Sequence, residues 1–401
     1  MSTRIPGFAV FCKRMKAVSR HRAIAMMIRV AACVLILIPA SARASEILTQ
    51  DRRFQKLGVI LDPWSEAQVR FWRRIYTEFA SSDWLVHDSM NPARIYSRHF
   101  SEAEARAGRL EVKRGLLALS GAPSGRVSGG AIDPALRGLY EAMDAIEDSR
   151  AYRFAAEDRR LRIQSGRKDR VELAFGESRP YLKRMREMFR EEGVPEELVL
   201  LPFVESAFNH EAKSKSGAAG IWQFMPRTAS EDLRVGHSID ERFDPLKSTR
   251  AAARFLRRNH QMLGSWALAV MAYHHGPALV KKAVKTLGTT DPVRLIRIFK
   301  APSFRFASRN YLFEFLAMCD VHREREQQAD PGLPPYLSLT FPKSLKIGRI
   351  VEHYRLDRGT LKRLNPHFRE PIWTNQAEIP AHYPVRVAGI TLEEFRKLQY
   401  P

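Results

Sequence analysis

Cysteine is scarce: the 401 residues hold Cys12, Cys33 and Cys319. The first two fall in a leader-like segment, so a chain without that segment keeps a single thiol and can form no intrachain disulfide. Cys319 ends the apolar stretch Tyr311–Cys319 and reads as core filler rather than as a nucleophile. Acidic residues are outnumbered, with 44 Asp and Glu against 66 Lys and Arg and a formal charge of +22. Such an excess suits nucleic acid, anionic lipid or an anionic polymer equally well. Zinc-ligand spacings, phosphate-cradling loops and aromatic RNA-binding signatures are all missing, and the arginines are scattered rather than gathered in a tract. Nucleic acid is therefore not an expected partner, and the charge reads as solvated helix faces. Long apolar runs are lacking too. Val30–Pro39 is too short to cross a bilayer, which takes about 20 residues.

That run belongs to a recognisable leader. Residues 1–44 carry eight Lys and Arg and no acid, then the apolar run, then Ala42-Arg43-Ala44, an A-x-A cleavage pattern. Removal leaves a charge of +14. The expectation is export to the periplasm. Val30-Ala-Ala-Cys33 also fits a lipoprotein box by residue type, so a lipid anchor and an uncleaved anchor stay open as routes to membrane association.

Length and a 45% hydrophobic content allow two or three domains with real cores. Residues 45–169 read as a helical N-terminal region. Ser65–Phe79 places Val69, Trp72, Ile75 and Phe79 on one helical face, and Leu136–Arg162 reads as a further helix. Trp84–Asp88 and Arg94–Arg98 are candidate strands around Asn91-Pro92, and Pro123–Gly130 is a connector. Residues 170–330 form an all-helical array with clear punctuation. Tyr181–Glu192 stops at Gly193, and Pro195 opens the next helix with Glu196 and Glu197 in its first turn. Asp244-Pro245 and Asp291-Pro292 are cap-and-proline starts, while Gly264 and Gly276 close helices. Pro331–Pro335 is a linker to a C-terminal module, 331–401. The fold class is mainly α.

Within the array one carboxylate stands out. Glu205 lies in Leu200–Phe208, where Leu200, Leu201, Phe203, Val204 and Phe208 leave it no plainly wet helical face. Burial there keeps a carboxyl protonated to higher pH, the condition for a general acid. Ser206 follows directly, and Gly217–Pro226 comes shortly after, with Gly220, Trp222, Gln223 and Met225. Trp222 is either a face on which a sugar packs or a core ring with its N–H satisfied. Gln223, a polar amide among Ile, Trp, Phe and Met, wants a partner.

In order and spacing these blocks resemble the lysozyme-like (SLT) lytic transglycosylases that cut bacterial peptidoglycan, and within them the membrane-bound D type. Glu205-Ser206 corresponds to the family's catalytic Glu-Ser, and Gly217–Pro226 to its Gly-x-x-Gly-x-x-Gln-x-Met-Pro block. Ala272–Gly276 matches Ala-Tyr-Asn-x-Gly, and Arg309-Asn310-Tyr311 the downstream Tyr-bearing helix. The resemblance implies a lysozyme-like catalytic domain over 170–330, with Glu205 catalytic. It implies Ser206, Gly220, Trp222, Gln223, Met225, Tyr273, His274 and Tyr311 as substrate-binding residues, and no metal or cofactor. Its chemistry is non-hydrolytic: Glu205 acts as acid and then as base on a MurNAc–GlcNAc bond, forming a 1,6-anhydro end. His274 departs from the family's Asn. A neutral imidazole offers the same donor and acceptor pair, but brings a titration near pH 6.5.

The C-terminal order of helix, Asn365-Pro366 turn and extended segment resembles the LysM carbohydrate-binding module, as a small α+β unit without a clear first strand. A structural cap is the other reading. The implied partner is the glycan strand of peptidoglycan, and the sequence does not define an oligomeric state. Two other functions fit the same residues. One is a goose-type hydrolytic muramidase, which needs a second carboxylate opposite Glu205, and the other is a non-catalytic wall-binding protein.

Overall fold

Asp62 caps the first long helix, α1 (Pro63–Thr77), its carboxylate accepting from Ser65 N while Pro63 fills the first turn. Val69, Trp72 and Ile75 are buried along one face, and Phe79 is buried just beyond the helix. The computed structural model describes residues 54–121, 127, 132–325 and 332–398. The expected leader over 1–44 and nearly all of the connector 123–130 lie outside the described residues. Of the two units into which the chain divides, the elements below belong to Leu57–Pro401.

The N-terminal region is mixed rather than wholly helical. Strands β1 (Trp84–Asp88) and β2 (Ile95–His99) pair antiparallel with a register shift at Val86/His87. They precede α2 (Glu102–Ser120) and α3 (Ser149–Ala155). A third strand, β3 (Leu161–Ser165), pairs antiparallel with β1 and gives the order β2-β1-β3. The helix expected over 136–162 is broken because Asp144 and Ala145 take positive φ, 57° and 52°. Asp148 then caps a new start at α3. Val112 and Leu116 of α2 and Tyr152 of α3 close one core over this sheet.

The long helix α4 (Lys168–Glu191) starts well before Tyr181 and runs through Pro180. Val171, Ala174 and Ser178 are buried before the proline, so packing offsets its missing hydrogen bond. After a 3₁₀ turn comes the short α5 (Leu201–Ser206). Asp244 then caps α6 (Pro245–Leu263), which Gly264 ends in the left-handed region. Ser265 caps α7 (Trp266–His275). The helix α8 (Phe306–Arg325) is buried on all sides from Asn310 to His322, which makes it the central core helix. It packs on α1, α5 and α7, and the buried Trp72 Nε1 donates to Asn310 Oδ1 at 2.8 Å. Cys319 is a buried free thiol of this helix, its pKa raised by burial.

The C-terminal module runs β4 (Leu337–Leu339), α9 (Ile347–His353), α10 (Arg358–Leu364) and β5 (Val385–Val387), with β4 and β5 antiparallel. The missing first strand is thus a three-residue one. Asn365 explains its own sequence signal. Its amide donates to Leu361 O and Arg386 O and accepts from Arg386 N, tying the end of α10 to β5. Among the described residues no helix is long and apolar enough to cross a membrane.

Candidate active site

The chain turns sharply at the end of α5. Ala207 and Phe208 both take left-handed φ, 50° and 55°, a costly conformation for side-chain-bearing residues that packing must enforce. Phe208 is fully buried and anchors the turn. Glu205 is left half-buried at the wall of a cleft of about 790 Å³, with Arg167, Glu177 and His210 also lining it.

Two groups set the state of Glu205. Tyr311 of α8 donates its hydroxyl to Glu205 Oε1 at 2.5 Å. Burial pushes the Glu205 pKa up to about 7; the Tyr311 hydrogen bond opposes this rise and the charge of Glu314 adds to it. A carboxyl so placed keeps its proton close to neutrality. The Tyr311 phenol stays neutral, since burial and the Glu205 charge push its pKa well up.

The glycine loop lies against α5. The Ser206 hydroxyl donates to Ile221 O at 2.9 Å, with Pro202 O at 3.2 Å. Ala219 and Phe224 exchange backbone hydrogen bonds, and Gly220 N donates to Ala212 O. Arg242 holds the loop from beneath, donating to Gly217 O at 2.8 Å and Phe224 O at 3.1 Å. It is itself fixed by Asp240, with 2.7 Å between Nη2 and Oδ2. At Gly220, φ is +74° and an added Cβ would stand 1.8 Å from Arg242 O. Gly220→Ala is therefore expected to lose about 3 kcal/mol of stability or more, combining left-handed strain and overpacking. Gly217→Ala, at φ +93° but facing open space, should lose only about 1 kcal/mol. Denaturant titration of the two variants reads the difference.

The remaining expected residues divide. Met225 is 42% exposed, and Gln223 is half-buried at φ 49° with Nε2 donating to Gly220 O at 2.9 Å. Tyr273 donates to Trp222 O at 2.7 Å and pins the loop to α7. Trp222 is a correction. It is fully buried, stacked on Phe189 at 5.7 Å, and its Nε1 donates to Thr249 at 3.0 Å. Its ring is core and presents no face to a ligand. His274 stacks on Tyr311, with centroids 4.4 Å apart and planes 19° apart. Burial of the imidazole, with His275 beside it, lowers its pKa to about 4. His274 is therefore neutral near pH 7 and brings no titration there.

Sequence reasoning missed a second buried carboxylate. Glu314 of α8 accepts from Arg167 Nη1 at 3.0 Å and from Tyr76 of α1 at 3.5 Å. Burial raises its pKa, and the Arg167 guanidinium opposes the rise. The signal was present: Leu312, Phe313, Phe315 and Leu316 flank Glu314 as the apolar run flanks Glu205.

Comparison with known proteins bears on the same segment. Residues 185–295 match the Transglycosylase SLT domain. The chain is 42% identical over 109 residues to the membrane-bound lytic murein transglycosylase D of Escherichia coli K12, covering 27% of this chain and 24% of that protein. It is 30% identical over 159 residues to the membrane-bound lytic murein transglycosylase C of Glaesserella parasuis, covering 34% of this chain and 43% of that one. The chain thus spans about a quarter and under half of these relatives. Among solved structures, the 70 kDa soluble lytic transglycosylase of Escherichia coli matches at 23% identity and TM-score 0.30, over 37% of this chain and 25% of that one. Glu205, the glycine loop and His274 all lie inside residues 185–295, the segment that matches the Transglycosylase SLT domain.

Proposed function

We propose that the protein cuts the β-1,4 bond between MurNAc and GlcNAc in bacterial peptidoglycan without water, leaving 1,6-anhydro-MurNAc ends. The observation that carries this reading is one cleft carboxyl, Glu205, whose pKa is raised by burial to about 7 and which is fixed by Tyr311. The other carboxylates lining the cleft, Glu177 and Glu211, are largely exposed. Glu177 lies 3.8 Å from His210 and Glu211 lies 3.2 Å from Arg369, each about two-thirds exposed.

The Tyr311 hydroxyl occupies Oε1, so the acidic proton belongs on Oε2. That proton passes to the glycosidic oxygen as the C1–O bond breaks, and the substrate's own N-acetyl carbonyl supports the positive C1. The ionised Glu205 then accepts the proton of the MurNAc O6 hydroxyl as O6 bonds to C1. Glu205 ends protonated as it began, and no water is consumed. An internal nucleophile draws on high effective molarity and needs only this one acid and base. We assign Gln223, Met225 and His274 to groove contacts, while Ser206, Gly220 and Tyr273 hold the loop in place. In this reading residues 170–330 are the catalytic domain, 45–169 support it, and 331–401 form a LysM-like module. The leader over 1–44 takes the chain to the periplasm, where its relatives' membrane-bound character makes membrane association part of the proposal.

A general acid must be protonated, so kcat/KM is expected to fall about tenfold per pH unit above the Glu205 pKa of about 7. A pH–rate profile with no descending limb near neutrality would contradict the assignment. Clearing of a suspension of purified sacculi tests catalysis itself. Turbidity should drop with soluble muropeptides released, whereas a protein that only binds the wall sediments with it and releases nothing.

A further inference from the structure

The C-terminal module is fastened to the helical domain through a buried polar lock. Asp244, the N-cap of α6, is fully buried. Arg386 Nη1 stands 2.7 Å from its Oδ2, and His367 Nδ1 2.8 Å from the same atom. The Arg386 charge and the His367 contact hold the Asp244 carboxyl far below the usual carboxylate range against the effect of burial. Around the lock the two parts exchange backbone hydrogen bonds, Asp240 N to His367 O and Arg369 N to Ser238 O. Ile239 of the helical domain sits inside the module's own core. Tyr383 donates to Glu241, and Arg369 lies over Phe243 at 3.9 Å while reaching Glu211. A unit joined in this way is a fixed wall rather than a tethered appendage.

That wall meets the cleft. Beside the cleft holding Glu205 lies a second open chamber of about 630 Å³. Glu177, His210 and Glu211 line both. The far side of the second chamber comes from the module, with Lys362, Arg363 and Glu370 exposed on it and edges of Phe368 and Trp373 behind. Tyr181 of α4 supplies the opposing aromatic ring. Charged groups of both signs beside the half-buried Tyr181 ring match a polyhydroxylated sugar, which needs donors and acceptors together and packs an apolar face on a ring.

We propose that this chamber is an extension of the catalytic cleft that takes further saccharide units of the same glycan strand, assembled jointly by the SLT domain and the C-terminal module. It rests on the peptidoglycan reading above and adds a substrate-length requirement to it. Glu205 acts at one end of a two-chamber groove, and Arg369 holds Glu211 at the junction.

The test uses binding, so that it does not depend on turnover. Full-length protein carrying Glu205→Gln is titrated calorimetrically with un-cross-linked glycan oligomers lacking stem peptides, a tetrasaccharide and an octasaccharide. The octasaccharide is expected to bind at least about tenfold more tightly. Lys362→Trp, at an exposed helix position facing the chamber, fills it and should reduce that preference to near unity. Glu370→Trp, at a second exposed position of the module lining the chamber, should do the same, so a folding defect in one variant does not decide the matter. Equal affinities for the two oligomers, or a preference untouched by both tryptophans, would overturn the proposal. So would a length preference appearing only with stem peptides attached. A wild-type protein that releases nothing from sacculi while the Glu205→Gln form keeps the length preference would remove the proposed cleavage and leave the two-chamber groove standing.

Discussion

Glu205→Gln is expected to fold as the parent does and to release muropeptides about a thousandfold more slowly, roughly 4 kcal/mol of lost transition-state stabilisation. The amide fills the same volume, and its carbonyl can still accept from the Tyr311 hydroxyl now bonded to Glu205 Oε1. It has no proton of suitable acidity for the glycosidic oxygen and cannot take one back from O6. Folding should not suffer, because the surroundings of the carboxyl already favour its neutral form, which the amide reproduces at every pH. Its raised pKa means that the carboxyl favours the fold at low pH, and that this advantage is lost as pH rises through about 7. The amide removes that loss. Full activity in a folded Glu205→Gln protein would end the assignment, and circular dichroism beside the activity assay separates the two effects.

The second large effect is on stability. Asp244→Asn is expected to cost about 3–5 kcal/mol, the usual penalty for leaving a buried charge without its partner. The Arg386 guanidinium, with 14% of its side chain exposed, would lose its counter-ion, while the asparagine could still accept from Leu246 N and Lys247 N as the helix cap. The loss therefore reports the charge rather than the cap. Tryptophan fluorescence during urea unfolding reads it, since Trp373 lies in the module and Trp222 and Trp266 in the helical domain. An Asn variant as stable as the parent would show that the lock adds nothing beyond apolar packing.

The helical part of the fold was readable because its punctuation is local. Asp244-Pro245, Gly264 and Gly276 each mark a helix end by their own backbone chemistry, and each end lies where they put it. Long-range features were not readable. Strand β3 follows no turn signal near β1 and exists only because β1 offers a second edge to pair. The break at Asp144 and Ala145 rests on positive φ in residues that carry no glycine signature. In the candidate site, the burial of Glu205 was legible from its apolar flanks, and the position of Tyr311 beside it from the resemblance. Trp222 was not, since an aromatic ring in a glycine loop looks alike whether it faces a ligand or Phe189. The pairing of Asp244 with Arg386, 142 residues away, leaves no local mark, and Arg242 under the glycine loop looked like one more surface arginine. Only the placement of the chain turns those charges into a fastening between parts.

The most direct test of the central claim is mass spectrometry of the muropeptides released from purified peptidoglycan. Internal attack by O6 predicts anhydro-MurNAc ends, lighter by one water than the hydrolysed product. Reducing MurNAc ends would contradict it and mean that water, activated by a second group, completes the reaction.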